Sequence, residues 1–369
     1  MPYHPETTVI LGSTKIIREY NLPPNAIGDV QVDNGAMVRP ASVLLEGSIP
    51  SEVLFLDALK LLGLRRADQI TEEMVQVPVG EVVDAGVALL INGKGRSAKK
   101  VITPKRARFA QLDEAGRVLL QTDPQPVVVY ALMAGRVNST SNRRVVVETA
   151  GTLIQAAWGN GAASYGRLVF AEEEASQYDL ALEDEEDSGM IIVLEESIQT
   201  ANVFQDAIQR SWRGVIAPSM SSTLREQALR LGIPLLLTEG FGNVPYSEIV
   251  YNLLNNNRNR LTTADAVEPS AWRSGRPEIV IPTGLNSRLK APERDLPLVA
   301  GATVRITRPP HYGRTGKVLN LPESPITVEN GLRVAAAEVQ LSDSEIIFVP
   351  LANVELLGRP LDAPGRLQP

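Results

Sequence analysis

The chain contains no cysteine, which excludes disulfides, thiolate zinc sites and cysteine nucleophiles. Histidine is almost as scarce: His4 and His311 fall in different predicted modules. A Ser-His-Asp triad or a histidine-based metal site therefore lacks its placed imidazole, and neither a metal nor any other cofactor is expected. No apolar run approaches the roughly 20 residues that span a bilayer. The start, MPYHPETTVILGSTK, lacks the basic flank and apolar core of a signal peptide, so a cytoplasmic location is expected. The net charge of −7 argues against a general basic coat but leaves room for a local basic face.

What is present is globular: 44% apolar and 21% charged residues over 369 positions, enough for two or three domains with their own cores. The stretch that organises the rest is Val127–Phe170. Val127–Tyr130, Arg136–Val137, Val145–Glu148 and Leu168–Phe170 read as strands. Gly135, Gly151, Gly159, Gly161 and Gly166 mark turns or close backbone approaches. Upstream, Thr7–Leu11 and Lys15–Tyr20 read as strands and Gly28–Gly47 as a hairpin. Ser51–Leu64 places Val53, Leu54, Leu56, Leu59, Leu61 and Leu62 on an apolar helical face, with Gly63 near its stop, and predicts a helix capping the sheet.

Val79–Leu90 echoes Gly28–Leu45: a glycine, valines, an acidic residue, a second glycine, then an apolar strand. With Ile102–Leu120 and the segment ALMAGRV at Ala131–Val137, this pair resembles the barrel-sandwich hybrid, or lipoyl/biotinyl-like, fold. The resemblance covers roughly 28–170 and implies a fold rather than carrier activity. The family's modifiable lysine, set in Asp-Lys-Ala or Met-Lys-Met, has no counterpart, and Ile102–Phe109 lacks the family's glycine. Between the two strands, Lys94, Arg96, Lys99, Lys100, Lys105, Arg106 and Arg108 occur without an acid, beside Gly93 and Gly95. The segment does not meet the phosphate-loop pattern. It reads either as a patch for phosphate backbone or an acidic partner, or as a solvated hairpin tip.

Glu172–Asp187 is dense in carboxylates that repel one another and reads as a linker. Residues 189–257 then alternate apolar strands (Met190–Leu194, Gly214–Ala217, Pro234–Leu237) with helical patterns. Thr223 and Glu226 form a capping box for the second helix, and Pro245 fits the first turn of the third. This predicts a small parallel sheet covered on both faces. Ligands of such sheets sit beyond the carboxyl ends of the strands, here Glu195, Glu196, Ser219, Thr238, Glu239, Gly240 and Phe241, with Pro218 and Gly242 alongside. Glu195 and Glu196 would repel a phosphate. With Glu239 they read as an acid/base set or as exposed turn carboxylates. Residues 258–297 read as a polar linker with one strand-like island, Glu278–Ile281.

Gly301–Leu321, GATVRITRPPHYGRTGKVLNL, is similar to the KOW motif of SH3-like barrels in Nus G-type transcription factors and ribosomal proteins. Gly301, Val304, Ile306, Gly313, Gly316 and Val318 carry the pattern, and the later segments 332–341, 346–349 and 350–356 fit the remaining strands. The family implies docking to RNA, ribosome or a protein partner. Arg305, Arg308, His311, Tyr312, Arg314 and Lys317 gather near the predicted loop, an aromatic among cations suited to stacking and phosphate contact. The other reading is a module that packs against its own chain.

The sequence thus predicts a multidomain, mainly β chain with one α/β unit: a barrel-sandwich-like β domain at 1–171 with a helix at 51–64, an acidic linker at 172–188, a small three-stranded parallel Rossmann-like domain at 189–257, a linker at 258–297, an SH3-like barrel at 298–358 and a tail at 359–369. The function expected is a non-enzymatic scaffold that binds protein, RNA or DNA through its basic loops. Alternatives are a ligand-binding or enzymatic α/β domain, and a structural homo-oligomer.

Overall fold

In the computed structural model, residues 7–173, 189–267, 276–293, 296–327 and 331–358 are described. Of the linker expected at 172–188, all but Glu172 and Glu173 lies outside them, as does the tail from 359.

Arg144–Gln155 is the backbone of the largest sheet. Its run of β-branched and small residues is buried at every position after Arg144, as a strand covered on both faces requires. One edge pairs along its length with Ile10–Asn21, from Arg144↔Asn21 to Ile154↔Ile10. The other edge is shared: Arg144–Glu148 pair with Gly135–Ser141, and Ala150–Gln155 pair with Glu278–Gly284. The handover falls at Gly151, where a Cβ would stand 2.1 Å from the Ile281 carbonyl oxygen, so only glycine lets the backbones approach.

From there the sheet continues through Leu261–Asp265, Ala163–Phe170, Met190–Val193, Gly214–Met220 and Leu235–Phe241 to Trp158–Gly159; with Met37–Val38 paired beyond Gly135–Ser141 at the other end, it has eleven strands in all. Two expectations change here. The segment 258–297 is no linker, because Thr262, Thr263 and Ala264 are buried in one sheet strand and Ile279–Ile281 in another. Its threonines disguise it: their hydroxyls bond the carbonyls of Arg260 and Leu132, so they bury like apolar residues. The parallel part has four strands rather than three, since Ala163–Phe170 runs parallel to Met190–Val193. A boundary at 171 cuts through this sheet.

Both faces of the parallel part are covered. Asn202–Gln209 and the short turns Ser222–Leu224 and Arg225–Ala228 pack on Val169, Ile192, Val215 and Leu235. Glu248–Asn255 packs Val250 and Leu254 on Phe170, Ile191, Val193 and Ile216. The expected capping box does not form: the Thr223 hydroxyl meets the Ser221 hydroxyl at 2.9 Å, and the helix it should open lasts one turn. Pro245 precedes the third helix, which starts at Glu248.

Residues 51–122 form an insertion. Val43–Ile49 and Gln125–Tyr130 pair antiparallel, with Gln125 opposite Ile49, and the intervening chain leaves and re-enters at that point. A neck hydrogen bond from Thr122 N to Glu52 O, 3.0 Å, closes it. The insertion has its own sheet (Val53–Asp57, Arg117–Gln121, Ala107–Leu112, Val82–Val83) and its own core around Phe109, Leu89, Leu90 and Leu120. The helix expected at 51–64 is instead a strand, Val53–Asp57, followed by the five-residue helix Ala58–Leu62. The apolar residues there satisfy both periods, and pairing with Arg117–Gln121 selects the extended form. The sequence echo is real geometry. Gly35 and Gly86 both take positive φ, and their N–H groups reach across to Val137 O and Thr103 O, each at 2.8 Å.

The C-terminal sheet has six strands in the order Thr7–Thr8, Val354–Leu357, Thr303–Ile306, Thr315–Asn320, Ala336–Leu341 and Ile346–Pro350. Thr7–Thr8 lies parallel to Val354–Leu357, so the first described strand is stitched to the last. Gly313 has the positive φ expected for the turn; Gly316 does not, and is needed because a Cβ there would meet Gln340 O at 2.6 Å.

Candidate functional site

The two sets of residues expected to serve different ligands meet each other. Glu239 lies in the last parallel strand, Leu235–Phe241, and Arg305 in Thr303–Ile306 of the C-terminal sheet. Strand alternation sends Val304 and Ile306 into the C-terminal core and Arg305 to the opposite face. That face is covered by the α/β unit, so Arg305 is only 7% exposed. Its NH1 lies 3.1 Å from Glu239 Oε2, and its Nε and NH2 lie 2.7 and 2.6 Å from Glu355 Oε2. Glu355 is the cross-strand partner of Arg305.

Glu239 collects further donors. The Ser247 N–H and hydroxyl each reach Oε1 at 3.0 Å, and the Tyr312 hydroxyl reaches Oε2 at 3.0 Å. Burial raises the Tyr312 phenol above its ordinary pKa, and the Glu239 carboxylate raises it further. For Arg305, burial alone would lower the pKa; Glu239 and Glu355 outweigh it, and the guanidinium is held charged. The network is a lock between modules, with each charge answered.

The rest of the carboxyl edge is also spent. Ser219 is fully buried; its hydroxyl is 2.6 Å from the Ser197 hydroxyl and 2.8 Å from both the N–H and the carbonyl of Val244. The loop through Val244 thus closes over the strand ends. The buried Thr238 hydroxyl lies 3.4 Å from Glu239 Oε1. Glu195 accepts from the Tyr251 hydroxyl at 2.8 Å, and Glu196 is exposed. Gly240 takes a positive φ, and the Phe241 ring lies against Trp158 with centroids 5.3 Å apart and planes tilted by 58°. The three glutamates have separate surroundings and form no shared acid/base set.

Of the other C-terminal candidates, Arg314 is held by Asp343 and by Glu345 at 2.9 Å, and its NH1 lies 3.3 Å from His311 Nδ1. Arg308 and Lys317 are exposed and, among the described residues, make no ion pair. The aromatic-among-cations cluster read from the sequence therefore splits: Arg305 and Tyr312 turn inward, and Arg308 and Lys317 remain outside.

The cations of the insertion stay on the surface. Lys94, Lys99, Lys100, Arg106 and Arg108 are exposed and Lys105 half-buried; the Arg96 side chain lies outside the description. They flank a two-strand ribbon, Ala88–Asn92 with Lys99–Ile102. Lys105 pairs with Glu52, Arg106 approaches Asp84 at 4.0 Å, and Arg108 donates to Gly80 O at 2.7 Å. The Lys99 ammonium sits against Gly63, just past the helix Ala58–Leu62. Lys94 and Lys100 have no ion pair among the described residues. On the open face of the adjoining sheet, Val53, Gln121, Arg108 and Val82 form one cross-strand row. Phe55, 60% exposed, stands one step along with the Arg117 guanidinium 5.8 Å above its ring.

Sequence reasoning missed Glu355, Thr8, Ser247, Gln155 and Arg276. All but Ser247, which bonds Glu239 eight positions away, act through partners 50 or more positions away, and no local pattern marks them. No helix among the described residues is long and apolar enough to cross a membrane, and no group of three or more metal-ligating side chains occurs among them. No family model matches the chain, and comparison with curated proteins gives no match.

Proposed function

We propose that the protein is a non-enzymatic adaptor that binds single-stranded nucleic acid through the inserted module. The observation that carries this is the charge division. Residues 51–122 hold eleven lysines and arginines against nine carboxylates, a net of +2, whereas the whole chain carries −7. Seven of those cations lie between 94 and 108 without an acid. Phe55, exposed on an open sheet face near these cations, adds a stacking position, although its neighbour Arg117 is itself ion-paired with Asp113 at 2.8 Å. The internal use of Glu239, Ser219, Arg305 and Tyr312 supports a binding rather than a catalytic reading of the rest. In this reading the first β unit with its insertion is barrel-sandwich-like, the parallel unit Rossmann-like, and the C-terminal sheet a KOW-type SH3-like barrel packed on its own chain. The repeated turns, the strand–helix alternation and the pattern Gly301–Val318 support those assignments.

Fluorescence anisotropy with labelled RNA and DNA oligonucleotides over a salt series tests it. If about four cations contact phosphates, the logarithm of affinity falls with log salt at a slope of about −3. Reversing Lys94, Lys99 and Lys100 to Glu should abolish binding, while reversing Arg308 and Lys317 should leave it. Binding that ignores salt, or none at low salt, removes the proposal.

A further inference from the structure

The strand Val53–Asp57 lies at an edge of the insertion's sheet: Arg117–Gln121 pairs with it on one side, and no strand among the described residues pairs on the other. The bonds at its two ends fix where its backbone points. Thr122 N donates to Glu52 O at 3.0 Å, and Ala58 N donates to Gly116 O at 3.1 Å. Hydrogen-bonded partners alternate along an antiparallel pair, and no bulge interrupts this one, so Leu54 and Leu56 turn their N–H and C=O groups toward Leu120 and Val118. Those of Val53, Phe55 and Asp57 point to the open side and meet no partner among the described residues.

The side chains of this edge are equally unprotected. VLFL is apolar at four successive positions, so both faces of the strand are apolar, as in an inner strand. Val53 and Phe55 stand on the open face, 50% and 60% exposed. Leu54 and Leu56 point into the insertion's core yet stay half-buried, since no neighbouring strand closes the core beside them. Natural sheets blunt their edges with short strands, prolines, bulges or lysines. The opposite edge of this sheet, Val82–Val83, is two residues long, and the edge strands Gln125–Tyr130 and Ile346–Pro350 each carry a proline. Val53–Asp57 has none of these devices.

We propose that this edge pairs with the same edge of a second copy of the chain, antiparallel about a two-fold axis at Phe55. The strand's own sequence selects that occupant. Centred there, Phe55 meets the partner's Phe55, and Val53 meets the partner's Asp57 in both directions, so two hydrogen bonds at each of three pairs satisfy every outward group. Beneath them Leu54 closes on the partner's Leu56, and the two cores become continuous. A slip of two residues one way sets Leu56 against the partner's Glu52, and the other way runs the strand into the partner's helix Ala58–Leu62. Five residues make a contact below the roughly 800 Å² per partner of a standard interface, so the dimer is reversible. It needs no nucleic acid: the two Phe55 rings remain on the open face, side by side.

Sedimentation velocity of the full chain, free of nucleic acid and over a concentration series, tests it and should show a monomer–dimer equilibrium. Phe55→Lys changes an exposed side chain, so it should keep the wild-type melting temperature while its two ammonium groups, set against each other on the axis, hold the chain monomeric. The register has its own test, because the chain has no cysteine. Paired residues of this kind have Cα atoms about 5.5 Å apart, within disulfide reach. Mild oxidation of Phe55→Cys should therefore give a disulfide-linked dimer, and Phe348→Cys, 49% exposed on the edge of the C-terminal sheet, should not. A wild-type chain that stays monomeric up to about 1 mM, a dimer that Phe55→Lys leaves intact, or equal cross-linking of the two thiol variants overturns the proposal.

Discussion

Arg305→Met removes the cation from between two carboxylates and leaves the shape largely filled. The side chains concerned are 8% exposed for Arg305, 1% for Glu239 and 16% for Glu355. Breaking a buried ion pair from one side typically costs about 3–5 kcal/mol, because the orphaned charge stays where water cannot reach it. Here the orphans keep some support. Glu239 still accepts from Ser247 and Tyr312, and Glu355 from Thr8. The expected loss is therefore at the lower end, about 3 kcal/mol, more than a hundredfold in the equilibrium. It should appear as undocking of the C-terminal sheet rather than collapse of the body.

Segment-resolved hydrogen exchange reads this directly, since a multidomain chain has no single unfolding free energy. Protection should fall in Thr303–Ile306 and Val354–Leu357 and persist in Arg144–Gln155. The triple variant Arg305→Met, Glu239→Gln, Glu355→Gln leaves neither carboxylate orphaned, and should recover much of the loss, less what Arg276 forfeits with the Glu355 charge. A single variant within about 0.5 kcal/mol of wild type, or a triple variant no better than the single, would refute the reasoning.

Three further outcomes are expected. Hydrogen bonds from Lys15 and Arg136 hold the Glu148 carboxyl below its ordinary value of 4.5; its stabilisation is complete above that value and is lost as pH falls through the lower folded pKa. Glu148→Gln should accordingly flatten the acid limb of urea midpoints plotted against pH, and an unchanged limb would exclude this source. Phe109→Ala, at a fully buried position, should cost about 3–5 kcal/mol, with exchange protection lost inside the insertion and kept in the long strand. Loss spread over both would mean that the insertion is not a separate folding unit. Gly151→Ala should lower the melting temperature by disrupting the pairing with Glu278–Gly284, at about 1–3 kcal/mol or more; a neutral result would contradict the close approach at the handover.

Local patterns made much of the fold legible. The β-branched run after Arg144, the strand–helix alternation from Met190 and the paired turns at Gly35 and Gly86 all have structural counterparts. What stayed hidden was long-range. Thr262 and Thr263 give no apolar signal, because their hydroxyls are satisfied by carbonyls the sequence cannot pair with them. At Val53–Leu62 two periodicities coexist, and the choice between them was made by a strand some sixty residues on.

The candidate sites show the same limit in sharper form. Arg305 and Lys100 are both cations on β-strands in glycine-punctuated β segments, and composition treats them alike. One strand face is covered by the α/β unit and the other is not, so Arg305 becomes a buried tie to Glu239 while Lys100 stays in water. A cation's role is set by what its sheet face meets, and that is decided by topology. The carboxyl edge obeys the same rule. Its serine and glutamate have the chemistry of a ligand site, but the chain's own loop and C-terminal sheet reached those groups first. Groups that the chain's own partners leave unengaged are therefore better evidence of function than groups of suggestive type, and Lys100 meets that criterion where Glu239 and Arg305 do not.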